Sequence, residues 1–248
     1  MKYVDVHAHL DDKKFDKIRE KVISRFIAKD IFVINNGLNK ETNRSTLSLS
    51  SSYKNIFASL GVYPKYAEVM TKNEIKEELR FMKKNVNNIV SIGEIGLDYY
   101  EDNFNKKKQK EVFVSLLNLA KEFNLPVIIH SRRAEEDVLD ILGNYDLKVV
   151  LHCFGIYDEK LINKAIDSGY YFSIPPLVNI SNRFKKIVKF VPEKFLLLET
   201  DSPYMGPFGA KTINEPINIL YTLKVIKEIK GKDLSKLILK TTKKLFKL

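Results

Sequence analysis

Eight short apolar runs, each followed by a stretch with helical spacing, constrain this chain more than any other feature. The runs occupy residues 3–9, 31–34, 56–60, 89–92, 126–129, 148–151, 170–174 and 195–198. They are too short for buried helices and rich in β-branched residues, so they read as strands. Amphipathic stretches over residues 12–29, 40–53, 72–84, 103–123, 135–142, 159–168 and 180–190 lie between them, and two more, 214–230 and 234–246, close the chain. Gly61 opens a loop containing Pro64. Strands that alternate with helices pair in parallel through right-handed crossovers, which predicts an α/β TIM (β/α)8 barrel with residues 1–248 as a single domain. An open doubly wound sheet is the alternative. The chain has no Gly-x-Gly-x-x-Gly after any strand and no glycine-rich loop ending in Lys-Ser/Thr, so neither nucleotide-fold fingerprint favours that alternative.

Composition narrows the setting. No apolar run is long enough to span a bilayer, and the N-terminus enters a strand at once, so neither a membrane span nor a signal peptide is expected. The single cysteine, Cys153, excludes an internal disulfide framework and suits a reducing cytoplasm. The formal net charge is +11, but only seven of the 42 basic residues are Arg. A lysine-rich surface reflects genome composition or thermal adaptation as readily as a polyanionic partner, so the charge permits nucleic acid without establishing it.

The first strand ends in His7-Ala8-His9. Under strict alternation Asp5, His7 and His9 share one face while Val4, Val6 and Ala8 take the other, which places two imidazoles side by side. An isolated His-x-His is more often a satisfied core pair than a metal site. Here the other two of the four histidines, His130 and His152, end the fifth and sixth strands; Glu94 follows the fourth, and Asp201 lies just past the eighth. In a parallel barrel all these strand ends share the rim on which active sites are built. Four imidazoles and two carboxylates exceed the needs of one tetrahedral catalytic zinc, so two divalent ions are expected, bridged by one carboxylate. Mg, Mn, Zn or Co would suit such ligands. A metal pair lowers the pKa of a shared water and clamps attacking and leaving oxygens, which implies hydrolysis.

Five segments resemble the signatures of TatD-related deoxyribonucleases within the amidohydrolase superfamily. They run from Val4 to Leu10, from Gly93 to Tyr99, from Pro126 to Arg132, from His152 to Phe154 and from Glu199 to Tyr204. The resemblance implies that His7, His9, Glu94 and Asp201 serve one metal, and Glu94, His130 and His152 the other. It also implies a DNA substrate, cleaved as an exonuclease on single strands, or alternatively an ester of aminoacyl-tRNA. No membrane and no obligate protein partner are expected. Three positions depart from the family pattern. Tyr63-Pro64-Lys65 replaces His-Pro-His, Gly155-Ile156 replaces Ser-Gly, and Ile213 stands where Arg commonly precedes Asn. The departures leave the ligand set intact and alter the substrate grip, with Lys65 keeping a positive charge near the mouth.

Other residues carry two readings each. Glu199 has the parity of Asp201 and is a support or ligand at the metal site, or else a barrel carboxylate paired with a Lys. Asp5 lies deeper on the face of His7 and orients a neighbour, whereas Asp98 fixes a turn or holds a catalytic water. Cys153 reads as a core thiol. Tyr63, Tyr66, Tyr99 and Tyr100 fall on rim loops, as a base-stacking platform or as packing residues. Lys106, Lys107, Lys108 and Lys110 open a long helix, where the macrodipole disfavours cations; they meet phosphates or form a solvated face. Arg132 offers a guanidinium that grips phosphate bidentately.

Overall fold

A computed structural model describes residues 1–101 and 104–248. The strands are β1 Tyr3–Ala8, β2 Ile31–Asn36, β3 Ile56–Leu60, β4 Ser91–Asp98, β5 Val127–Arg132, β6 Val149–His152, β7 Tyr171–Ile174 and β8 Leu196–Leu198. They form one sheet in chain order, and every neighbouring pair is parallel. A parallel bridge between Ala8 and Ser202, with Asp201 N donating to His7 O at 2.8 Å and His9 N to Ser202 O at 2.8 Å, joins the end of β8 to β1 and closes the TIM barrel.

The helices are α1 Arg19–Ile27, α2 Lys40–Ser52, α3 Pro64–Val69, α4 Lys72–Lys84, α5 Lys106–Phe123, α6 Glu135–Leu142, α7 Glu159–Asp167, α8 Asn182–Phe190, α9 Ile219–Lys230 and α10 Ser235–Phe246. None among the described residues is long and apolar enough to cross a membrane. Local chemistry explains where they depart from expectation. The stretch 12–29 is not one helix, because the Asp12 carboxylate caps a short 3-10 turn at Lys13–Phe15 and α1 begins only at Arg19. Pro64 starts α3 instead of lying in a loop, since its missing N–H and fixed φ suit the first helical position. The Asn103 start expected for the long helix lies outside the described residues.

Two apolar layers make the core. The larger lies between barrel and helices; the smaller fills the lower barrel with Val4, Val6, Ile34, Ile128, Val150 and Leu197, stoppered by Leu245 and Phe246 of α10. This overturns the strict alternation expected for β1: Val4 and Val6 point into the barrel, and Asp5 takes the outer face, bonded to Thr200. Asp5 pairs with Val33 and Ala8 with Asn35, so Val6 and His7 together oppose the single residue Ile34. That β-bulge shifts the alternation by one and swings His7 and His9 inward. β4 repeats the device: Ile92 pairs with Val127 and Ile95 with Ile129, leaving Gly93 and Glu94 opposite Ile128. A Cβ on Gly93 would stand 2.7 Å from the Ile128 Cβ, so only glycine fits there. Glu94 is thus a mid-strand residue and not one that follows a strand ending at Ile92.

Candidate metal centre

Above the apolar plug the barrel turns polar. His7 and His9 leave β1, Glu94 leaves β4, His130 β5 and His152 β6, and Asp201 follows β8. All but Asp201 and His130 are buried, and those two are partly buried. The structure brings all six together. His7 Nε2 and His9 Nε2 are 3.1 Å apart. Glu94 Oε2 lies 3.4 and 3.5 Å from them, and Asp201 Oδ1 3.6 and 3.4 Å. Metal bonds of about 2.0–2.2 Å arranged tetrahedrally require ligand separations of roughly 3.3–3.6 Å, so His7, His9 and Asp201 fit one divalent ion, with Glu94 Oε2 beside the two histidines. The other Glu94 oxygen, Oε1, faces away toward His130 Nδ1 at 2.9 Å and His152 Nε2 at 3.9 Å. His152 Nε2 is equally 3.9 Å from Asp201 Oδ1 and stands between the two halves of the centre.

The surroundings set which nitrogen each ring presents. His9 Nδ1 lies 2.9 Å from the Asn36 carbonyl, to which it can only donate, leaving Nε2 free to ligate. His152 Nδ1 donates to Glu199 Oε2 at 2.8 Å with the same consequence. His130 is reversed: Nε2 faces Asp98 Oδ2 at 3.1 Å, so Nδ1 turns toward Glu94. His7 stacks on His152 with ring centroids 3.7 Å apart.

The electrostatics suit a cation. Burial opposes a charged His9, yet Asp201 and Glu94 outweigh it and lift its pKa to about 9. Burial likewise opposes a charged His152, but Glu199 and Asp201 raise it to about 10. Burial, with His152 beside it, pushes His7 down. For Glu94 burial is overcome by His7 and His130, which hold its carboxyl well below the usual range; Asp201 is lowered by His152 and His9 against the same penalty. Without metal, therefore, protons take the place of positive charge that the clustered oxygens attract. Asp201 and Cys153 both adopt left-handed backbone, φ 54° and 42°, at the rim. Such strained conformations cluster at functional sites.

The remaining expected site residues are placed as follows. Glu199 supports the centre: besides holding His152 it accepts from Cys153 N at 2.8 Å and Ser173 Oγ at 2.6 Å, and among the described residues no lysine pairs with it. Asp5 does orient a neighbour, accepting from Thr200 N and Oγ1 at 2.9 and 2.5 Å. Tyr63 reaches the centre, its hydroxyl donating to Asp98 at 2.7 Å and lying 3.4 Å from His130 Nε2. Arg132 donates to the same carboxylate at 2.7–3.1 Å while its side chain stays 42% exposed. Lys65 points instead to Glu101, and Lys106 and Lys110 both pair with Asp137, at 2.8 and 3.0 Å. Lys106 is therefore not aimed at the centre. The group the sequence left ambiguous is Asp98, which gathers Tyr63, His130, Arg132 and the Tyr100 N–H. Its spacing of four from Glu94 carried that signal once β4 runs on to residue 98.

The chain is similar in sequence and in fold to known proteins. A family model described as TatD related DNase matches residues 4–248. An uncharacterized metal-dependent hydrolase of Methanocaldococcus jannaschii is 34% identical over 250 residues, covering 100% of this chain and 98% of that protein. The human deoxyribonuclease TATDN3 is 30% identical over 258 residues, covering 99% of this chain and 93% of the human protein. The crystal structure of a TatD homologue from Escherichia coli superposes with a TM-score of 0.91 at 24% identity, covering 100% of this chain and 98% of the other; it attests the shared fold.

Proposed function

Because the chain belongs to the TatD-related DNase family of metal-dependent hydrolases, we propose that it removes nucleotides from the end of single-stranded DNA, using two divalent ions. The observation that supports this reading is the division of Glu94: Oε2 joins His7, His9 and Asp201, while Oε1 faces His130 and His152. Residues 1–248 act as one catalytic unit. The free thiol Cys153 suits the reducing cytoplasm as its place of work.

When bound, the ions would supply Lewis acidity and an acidified water. Among the carboxylates of the inner set Asp201 is the more open, its side chain 15% exposed against 4% for Glu94. Asp201 is the group that takes the proton as water attacks phosphorus. Its lowered pKa keeps it ionised. The exposed edge of Arg132 is positioned to hold a phosphate oxygen, because Asp98 fixes the other edge. Tyr63 completes the wall beside His130.

A second reading, hydrolysis of an aminoacyl-tRNA ester, is favoured by the carboxylates Asp11, Asp12, Asp16 and Glu41 in the cavity beside His9, which suit a substrate ammonium. Labelled single-stranded DNA and mischarged aminoacyl-tRNA, assayed with Mn²⁺-loaded enzyme, separate the two. DNA shortened stepwise from one end is the expected result. Deacylation without DNA cleavage would replace the first reading by the second.

A further inference from the structure

A cavity of about 940 Å³ opens directly from His9 and runs between the segments that follow β1, β2, β3 and β8. Two tyrosines at its mouth keep much of their rings in solvent, Tyr66 at 41% and Tyr204 at 44%. Both are held in place. The Tyr204 hydroxyl donates to Asp12 at 2.8 Å, and Lys14 Nζ sits 4.1 Å from the centroid of its ring. Tyr66 leans edge-on against Tyr63, which leans in turn against the His130 ring. Rigid, half-exposed aromatic rings are stacking platforms that tolerate any base.

The charge inside the cavity argues against a phosphate there. Four carboxylates line it against three cations. Arg19 and Asp16 neutralise each other and Arg44 is taken by Glu78, which leaves Asp11, Asp12 and Glu41 against Lys13. The opposite side of the barrel carries two arginines. β5 stands across from β1 in an eight-stranded barrel, and at its end Arg132 and the exposed Arg133 lie 4.4 and 4.7 Å from the ring of Tyr100. Arg133 holds left-handed backbone, φ 56°, to present its side chain there.

We propose that the cavity is the subsite for the terminal nucleoside of a DNA strand. Its base stacks on Tyr66 and Tyr204, and the remaining phosphates leave across the centre over Arg132 and Arg133. This deepens the DNA-hydrolase reading and rests on it. A neutral nucleoside fits an acidic, aromatic-walled cavity that an internal phosphodiester avoids, so the arrangement selects a chain end over an internal site.

The test uses metal-loaded, full-length enzyme and single-stranded oligonucleotides identical except at the residue removed, which carries either a base or an abasic tetrahydrofuran. In the wild type, loss of the base should raise KM roughly 5- to 150-fold, the range for removing one base–aromatic stack. Tyr66→Ala and Tyr204→Ala should shrink that penalty, and Tyr66→Phe and Tyr204→Phe should retain it. The comparison within the wild type needs no variant to fold. Cleavage of both oligonucleotides with equal KM overturns the subsite alone, whereas failure to cleave either overturns the DNA-hydrolase reading and the subsite with it.

Discussion

Replacing Asp98 by asparagine tests whether the carboxylate behind His130 sets which nitrogen that histidine presents. Asp98 Oδ2 accepts from Tyr63, His130 Nε2 and Arg132, while Oδ1 accepts from the Tyr100 N–H at 3.0 Å and from Arg132 Nε at 3.1 Å. An amide has no orientation that serves both sides. With its NH₂ toward His130 it meets the guanidinium as well, and the ring is driven to carry its proton on Nδ1, the atom facing Glu94. With its NH₂ toward Tyr100, two donors collide. Disturbing a group that orients a metal-binding histidine costs about 10–100-fold in metal affinity, and we expect that loss for the ion held by His130. The stability cost is about 2 kcal/mol, below the 3–5 kcal/mol of a fully buried ion pair because Arg132 is 42% exposed. That corresponds to a fall in Tm of about 4–8 °C for a chain of this size. Burial opposes the Asp98 charge, but His130, Arg132 and Tyr63 outweigh it and depress its pKa. A depressed carboxylate stabilises above its unfolded pKa of about 3.9 and loses that contribution as pH falls toward the folded value. The stability gap between wild type and variant should therefore be full near neutrality and close below about pH 3.9. Calorimetric metal titration and denaturant unfolding at several pH values read both effects. Wild-type metal affinity in Asp98→Asn would refute the argument, because it would mean that His130 needs no fixed tautomer.

Chelation should abolish hydrolysis and Mg²⁺ or Mn²⁺ should restore it; full activity in protein shown metal-free by mass spectrometry would count against the metal reading. Asp201→Asn should retain at least one ion while kcat falls roughly 10²–10⁴-fold, the range for losing a general base, whereas Glu94→Gln should weaken both ions together; an unchanged kcat in Asp201→Asn at saturating metal would reduce Asp201 to a ligand. Since His9 and His152 titrate near 9 and 10 in the metal-free protein, metal must displace their protons, so affinity should rise with pH up to that range. Calorimetry in buffers of differing ionisation enthalpy would show the proton release, and pH-independent binding would contradict it. With Lys106 and Lys110 paired to Asp137, exchanging Lys107 and Lys108 for Gln should flatten the salt dependence of DNA binding more than exchanging the paired two, as measured by fluorescence anisotropy across ionic strengths.

The architecture was legible because eight strands and their helices alternate, and the metal-binding groups because histidine is scarce in this chain and all four copies lie in or beside strands. Four histidines are all this chain has, and every one reaches the centre. Less legible was what each ring rests on. The acceptors behind His9, His130 and His152 are the Asn36 carbonyl, Asp98 and Glu199, contributed by other strands, and pairing across a barrel leaves no local pattern. Lys65 and Lys106 illustrate the same limit in reverse. Their position near the rim was readable, but the carboxylates Glu101 and Asp137 that take them were not. Tyr204 carries no such signal either, because nothing in its sequence neighbours reveals that Asp12 anchors its hydroxyl.

Strict period-two reasoning also failed on β1, and the failure bears on how the centre is built. A barrel strand that puts Val4 and Val6 inward would, continued regularly, put Ala8 inward and press His7 and His9 against the helices. One extra residue reverses this without altering the apolar layer below. The bulge sits opposite Ile34, and its counterpart on β4 sits opposite Ile128; both isoleucines belong to the plug under the site. Each bulge thus marks the level at which the barrel changes from sealed to reactive, and each delivers members of the inner ligand set, His7 and His9 from one and Glu94 from the other. β5 and β6 reach the same level with regular alternation, Ile128 followed by His130 and Val150 by His152. The irregular strands therefore supply His7, His9 and Glu94, and the regular ones supply His130 and His152. A bulge shifts the register by one residue, so that an inward Val6 of the plug is followed by inward His7 and His9, a sequence of faces that a uniform pleat withholds.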